Sequence, residues 1–184
     1  MFKKFVFKNT TKNNNKSNLG SNLERDINLT NDFYRDNKIA LIFKNEVPIK
    51  VVKVDYSSRK RAKIVEAYYC LNSLPDYQGL YRGRYLCFDV KETNHKTSFP
   101  LSNIPQHQID SLNHVKQFNG ISFFIIHFKF HNKYFYLPIE FLNNYIKNCS
   151  KKSINYKIFE ENLHHIVLVY APRLNYLKIV DNYL

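Results

Sequence analysis

Residues 120–128 read Gly-Ile-Ser-Phe-Phe-Ile-Ile-His-Phe, the longest apolar run in the chain. The run is far shorter than the ~18 residues of a membrane span, and its length suits a buried strand. It is followed by a second apolar segment at 133–137, across His131-Asn132. The pair predicts a hairpin, so the core contains a sheet. The chain can cover such a sheet: 44% of its 184 residues are hydrophobic and 16% aromatic. Whole-chain disorder is excluded on that ground.

Around this hairpin the chain predicts helices over 23–37, 105–117 and 139–148 and a short one over 174–183. Leu23, Ile27, Thr30 and Tyr34 share one helical face, with Glu24, Asn28 and Asn31 on an adjacent polar stripe. Ser21 or Asn22 is a candidate N-cap. Strands are predicted at 39–44, 49–54, 64–70, 84–91, 121–130, 133–137 and 166–170. Helices and strands alternate irregularly, which indicates an α/β class with a mixed sheet. Residues 1–18 are polar, basic and Asn-rich and read as a disordered arm; residues 19–184 read as a single domain.

Formal net charge is +13, and its placement is informative. Residues 1–16 carry five lysines and no acid, and residues 50–64 carry six cations against Asp55 alone. Clustered cations of this kind suit a phosphate backbone, so a nucleic-acid partner is expected. Within the second cluster, Arg59, Lys60 and Arg61 are the expected phosphate contacts. The N-terminus lacks the apolar segment of a secretory signal, and three widely spaced cysteines form no C-x-x-C pair. Both features predict reduced thiols in a cytoplasmic protein, with no membrane partner.

The spacing richest in chemistry is Pro75-Asp76, twelve residues, then Asp89-Val90-Lys91. Along residues 84–91 Leu86, Phe88 and Val90 point one way, and Cys87, Asp89 and Lys91 the other. Strand rise puts the Asp89 and Lys91 Cα atoms roughly 6.5–7 Å apart on one face, so their ends can converge on one phosphate. Asp76 can close the site from the neighbouring segment. Phosphodiester hydrolysis asks for hard carboxylate oxygens to hold a divalent cation, an activated water, and a cation to stabilise developing charge. Cys87, with no histidine placed to activate it, reads as a packed thiol.

The pattern P-D-(x)n-(D/E)-x-K resembles that of restriction-endonuclease-like nucleases. From Phe88 to Gln108 the chain reads FDVKETNHKTSFPLSNIPQHQ, which closely resembles the RecU-type Holliday junction resolvases. Glu24…Ile27-Asn28-x-Thr30-Asn31-x-x-Tyr34 is similar to that family's first helix. Asp76-Tyr77-x-Gly79-x-Tyr81-Arg82-Gly83-Arg84-Tyr85 and Ala171-Pro172-Arg173-Leu174-Asn175-Tyr176 resemble two further family segments. The chain departs from the pattern at Asp89, where the family has Glu, and at Leu74, where it has Thr.

The resemblance implies a restriction-endonuclease-like core, a central mixed sheet flanked by helices, with a projecting stalk at residues 79–85. It implies Asp76, Asp89 and Gln108 as Mg2+ ligands, with Mn2+ substituting, and Lys91 as the transition-state stabiliser. Leu74 would contribute at most a backbone carbonyl, and Glu24 would orient water or metal. Tyr81, Arg82 and Arg84 join Arg59, Lys60 and Arg61 as DNA contacts. The implied activity is that of a crossover junction endodeoxyribonuclease leaving 5′-phosphates, acting in recombination and repair. A nucleoid-associated homodimer bound to four-way junctions, with recombinase or branch-migration partners, is the expected setting. The alternatives are a nuclease of the same fold acting on ordinary duplex, and a non-catalytic junction-binding module.

Overall fold

The computed structural model describes residues 23–56, 62–70 and 74–184. The arm at 1–18, the cap candidates Ser21 and Asn22, and Arg59, Lys60 and Arg61 lie outside the described residues.

Helix α1, Leu23–Asp36, buries Leu23, Asp26, Ile27, Thr30, Asn31 and Tyr34. This is the predicted stripe, widened by two polar residues. The chain then forms β1 (Leu41–Lys44), β2 (Ile49–Asp55), β3 (Lys63–Tyr69), β4 (Tyr77–Tyr81), β5 (Arg84–Thr93) and β6 (Ser98–Pro100). After these come α2 (Gln106–Gln117), β7 (Ile121–Phe128), β8 (Lys133–Pro138) and α3 (Ile139–Asn148). The tail holds β9 (Ser153–Asn155), α4 (Tyr156–Asn162), β10 (His164–Ile166) and α5 (Leu177–Val180).

Six strands make one mixed sheet in the order β1-β4-β5-β7-β8-β10. Only β5 and β7 run parallel, and α2 lies in the crossover between them. The apolar run forms β7, buried at all eight positions between β5 and β8. Its continuous apolarity follows from having both faces covered. On one face α1 and the C-terminal segment pack over Tyr77, Phe88, Phe123 and Tyr136. On the other α2, α3 and α4 pack over Cys87, Phe124, Ile126 and Leu137. The alternation expected of β5 is therefore real: Leu86 and Phe88 enter one core and Cys87 the other.

Phe88 sits at the centre of the first core, stacked on Tyr77 and Phe123 with centroids 4.8 Å from each. Phe88→Ala is expected to cost about 3–5 kcal/mol, because the two rings that sandwich it cannot both collapse into the void. Urea unfolding of the two proteins measures this directly.

The C-terminal segment is tied to α1 by buried polar groups of that helix. Tyr176 donates its hydroxyl to Asn31, and the Leu174 N–H donates to Thr30 Oγ1 at 2.8 Å. Arg173 pairs with the buried Asp26 carboxylate at 3.4 Å. The tail otherwise differs from its expected form. The predicted strand over 166–170 is β10 over His164–Ile166, after which only a bridge from Leu168 to Leu174 remains. The predicted helix over 174–183 shrinks to α5 and a 3-10 turn, because Leu174–Tyr176 is spent on anchoring α1.

The projecting segment is not residues 79–85. Those residues lie in the main sheet as β4, a two-residue turn and the start of β5. Arg82 and Gly83 take φ 48° and 75°, the left-handed pair that closes such a turn. Gly79 is set by close approach: a Cβ there would meet the Leu41 carbonyl oxygen at 2.0 Å, so β1 could not pair with β4. The segment that stands apart is the β2–β3 ribbon, a separate two-stranded sheet with nearly every side chain exposed.

Candidate active site

Asp76, the residue before β4, and Asp89, in mid-β5, face each other across the antiparallel pairing of those strands. The Asp76 N–H donates to Asp89 Oδ1 at 3.1 Å, and Asp76 Oδ2 accepts from the Val90 N–H at 3.0 Å. Gln108, in the first turn of α2, donates its Nε2 to Asp89 Oδ1 at 3.3 Å. The three residues singled out as metal ligands are thus brought together by three separate elements.

Two oxygens in this group have no partner. Asp89 Oδ2 and Gln108 Oε1 are both buried and accept no hydrogen bond. Leaving buried acceptors unsatisfied is costly, so two of them on hydrogen-bonded side chains are themselves a signal. An all-oxygen donor set of this type, without nitrogen or sulfur, suits a hard divalent cation such as Mg2+ or Mn2+. Among the described residues no cluster of three or more His, Cys, Asp or Glu side chains is gathered, and the third oxygen-bearing side chain beside the acid pair is the Gln108 amide.

The electrostatics agree. Asp89 is fully buried, and burial, followed by repulsion from Asp76, pushes its carboxyl up to about 7; Lys91 opposes the shift. Lys91 is half-buried two residues on along the same face of β5. Cys87, also on this face, is fully buried, and burial pushes its thiol up to about 12. It is a packed thiol and no nucleophile.

Glu24 stands differently from the expectation. It pairs with Lys44 at the end of β1, Nζ to Oε2 at 2.7 Å, and lines a cleft of about 370 Å³ with Leu23, Val90 and Glu92 on the α1 face of the sheet. No hydrogen bond joins it to Asp76 or Asp89. It does share their electrostatic neighbourhood, since Glu24 and Asp76 both act on Lys44, which Glu24 raises above its ordinary value first by hydrogen bonding. The Leu74 side chain is exposed and holds nothing.

Of the DNA contacts expected at 81–84, Tyr81 is turned inward, and Arg82 and Arg84, both at the surface, hold partners within the chain. Tyr81 is 5% exposed, and its hydroxyl donates to Asp181 at 2.7 Å. Arg82 pairs with the same carboxylate at 3.2 Å. Arg84 donates through Nε and Nη2 to the Asn119 carbonyl at 3.0 and 2.7 Å, pinning the loop before β7. The turn also sits at the far end of β4, about 17 Å from Asp76 by strand rise. In this arrangement Tyr81 cannot stack on a base.

Lys44 and Asn45 escaped the sequence reading. Their contacts run to Glu24, 20 positions away, and to Pro75, 30 away, and no local period encodes such pairs.

An acid pair facing across the start of β4 and mid-β5, with a lysine two positions after the second acid, is the set expected from the resemblance to nucleases of the restriction-endonuclease-like class. A family model described as RecU, Recombination protein U, matches residues 18–182. The Holliday junction resolvase RecU of Geobacillus sp. (strain WCH70) is 41% identical over 91% of this chain and 85% of its own length. Its namesakes from Staphylococcus saprophyticus and Leuconostoc citreum are 43% and 44% identical, over 88% and 89% of this chain and 79% and 80% of their own. The solved structure of Hjc, a Holliday junction resolvase from Archaeoglobus fulgidus, aligns at 9% identity and a TM-score of 0.40, over 73% of this chain and 91% of that one. The chain belongs to the RecU family. No helix among its described residues is long and apolar enough to cross a membrane.

Proposed function

We propose that this chain is a structure-selective endonuclease that resolves Holliday junctions by paired symmetric nicks, with Mg2+ at the Asp76–Asp89–Gln108 site and Mn2+ able to replace it. The observation that carries the reading is the pair of orphaned buried oxygens, Asp89 Oδ2 and Gln108 Oε1, beside the Asp76 carboxylate and on the Lys91 face. A bound divalent ion there supplies Lewis-acid polarisation of the phosphate and a water of lowered pKa.

The chain's own residues do the rest. Asp76 and Asp89 are held at fixed separation by the Asp76 N–H and the Val90 N–H, so the donor set is preorganised. Gln108 turns its amide so that Nε2 faces Asp89 and Oε1 is left free. Lys91 places a cation where negative charge gathers on the phosphoryl oxygens. Glu24, with Lys44 across it, borders the cleft on the other side of β5 and orients the approaching strand or water.

DNA contact moves in this reading from residues 79–85 to the β2–β3 ribbon. It carries exposed Lys50, Lys53 and Lys63 together with Tyr68 and Tyr69, the latter 79% exposed. Cations hold phosphates, and aromatic faces accept unpaired bases at a branch point. Arg59, Lys60 and Arg61 belong by sequence to the connection between these two strands. A junction has two-fold symmetry, and a homodimer would set two such sites about the same axis.

Cleavage of a synthetic four-way junction beside matched linear duplex, with and without Mg2+, tests the reading. Mg2+-dependent cutting of the junction alone supports it; equal cutting of duplex makes the chain a duplex nuclease, and binding without cutting makes it a junction-binding module. Replacing Lys50, Lys53 and Lys63 with Ala is expected to weaken binding to all DNA forms. The slope of log K against log salt should flatten by about 0.9 for each lysine that touches a phosphate. An unaltered slope would leave the ribbon out of the interface.

A further inference from the structure

We propose that Asn45 is a positioning residue for the Asp76 carboxylate, tying the base of the β2–β3 ribbon to the catalytic centre. The inference rests on the reading of Asp76 and Asp89 as the nuclease site.

Asn45 follows the last residue of β1, where the chain leaves the main sheet for the ribbon. Its Nδ2 donates to the Pro75 carbonyl at 2.6 Å, and its backbone N–H donates to the Asp76 carbonyl at 2.8 Å. One residue therefore grips two consecutive carbonyls, that of the Pro75–Asp76 linkage and the one that follows it. On the opposite side Asp76 is held by β5, through Asp89 Oδ1 and the Val90 N–H. The carboxylate is thus clamped between a rigid central strand and the root of the ribbon.

The root is short and closed. The Cys70 N–H donates to the Pro48 carbonyl at 2.9 Å, which fastens the two legs of the ribbon just beyond Asn45. Only Glu46 and Val47 separate Asn45 from Pro48, and both are exposed. A load on the ribbon reaches Asn45 through this stretch with little packed material to absorb it. Asn45 then passes it to the two carbonyls that set where Asp76 stands. Engagement of branched DNA by the ribbon and placement of a metal-binding carboxylate share one hinge, which gives selectivity for a junction a catalytic part besides a binding part.

Groups that orient metal ligands from behind typically contribute 10–100-fold in metal affinity or activity. The test uses the full chain with Asn45→Ala and with Asn45→Leu, which keeps a similar size and removes the donor without adding charge. Three quantities are read: single-turnover cleavage of a four-way junction at saturating protein, junction affinity, and Mn2+ affinity of the DNA-free protein by calorimetry. The expected result is a loss of about 10–100-fold in rate and a matching loss in Mn2+ affinity. Junction affinity should hold near wild type, and excess Mn2+ should recover part of the rate. Wild-type Mn2+ affinity in both variants overturns the proposal, as does a rate loss that follows junction affinity alone. Should Asn45→Ala melt at the assay temperature, Asn45→Leu carries the same comparison; a lowered Mn2+ affinity upholds the role and an unchanged one rejects it. If the wild-type protein cuts no junction, the functional reading fails, while the Mn2+ titration still reports on Asn45.

Discussion

Lys91→Ala is expected to lower single-turnover junction cleavage by 10²–10³-fold, about 2.7–4 kcal/mol of transition-state stabilisation. The lysine shares a face of β5 with Asp89, and its charge already acts on that carboxylate. In the ground state the phosphate carries one negative charge, and several exposed lysines on the ribbon can balance it. In the transition state charge accumulates at the phosphorus oxygens, and only a cation fixed at the site meets it. The loss should therefore fall on the chemical step and spare junction affinity. Gel-shift affinity and quenched-flow cleavage on the same preparation separate the two. A wild-type rate in the variant would falsify this role for Lys91.

Asp76→Asn and Asp89→Asn are expected to remove Mg2+-dependent cleavage and to weaken Mn2+ binding in calorimetry. Each removes one anionic oxygen donor from a set that has only two carboxylates. Undiminished Mn2+ affinity in both variants would move the metal elsewhere. The buried carboxyl adds a pH signature. Burial and the neighbouring Asp76 hold Asp89 up to about 7, so below that pH a proton must leave before its oxygen can bind a cation. Mn2+ affinity should fall by up to about tenfold per pH unit below 7 in wild type, and Asp89→Asn should lose most of that slope.

Stability of the metal-free protein runs the opposite way. With the folded pKa raised above the unfolded one, the native state holds a proton that the unfolded chain has released. This group's contribution is complete at low pH, declines as pH rises from the ordinary aspartate range, and is lost by about 7. Urea midpoints in chelator should therefore fall for wild type relative to Asp89→Asn as pH rises from the ordinary aspartate range to about 7, and the pH-dependent part of the difference should vanish at low pH.

Much of this was open to inspection in the amino-acid order, because it depends on short-range periodicity. Residues 84–91 had to be a strand with Asp89 and Lys91 together, since period 2 leaves no other placement, and β5 has that form. The nine-residue apolar run had to be buried, and β7 is. Helix α3 occupies Ile139–Asn148, the range its apolar spacing marks out. The acid–acid–lysine set was legible because two of its members lie on one strand and the third precedes the strand that pairs with it.

What sequence alone left undecided are contacts between residues far apart in the chain. Strands β6 and β9 have three residues each, too few to show a period, and exist because they pair with one another. Glycines and arginines at 79–84 looked like a projecting loop, yet Gly79 is there because β1 passes against it and Arg84 because Asn119 offers a carbonyl. The ribbon that does stand apart was read as two ordinary strands, since strand propensity cannot tell a covered face from a bare one. Asn31 was read on a polar stripe of α1, and it is buried beneath Tyr176, which arrives from 145 residues away. The clamp of Asn45 on Pro75 and Asp76 is of the same kind. A hydrogen bond across 30 positions leaves no trace in local order, and only the folded sheet, by placing the end of β1 beside the start of β4, decides that it forms.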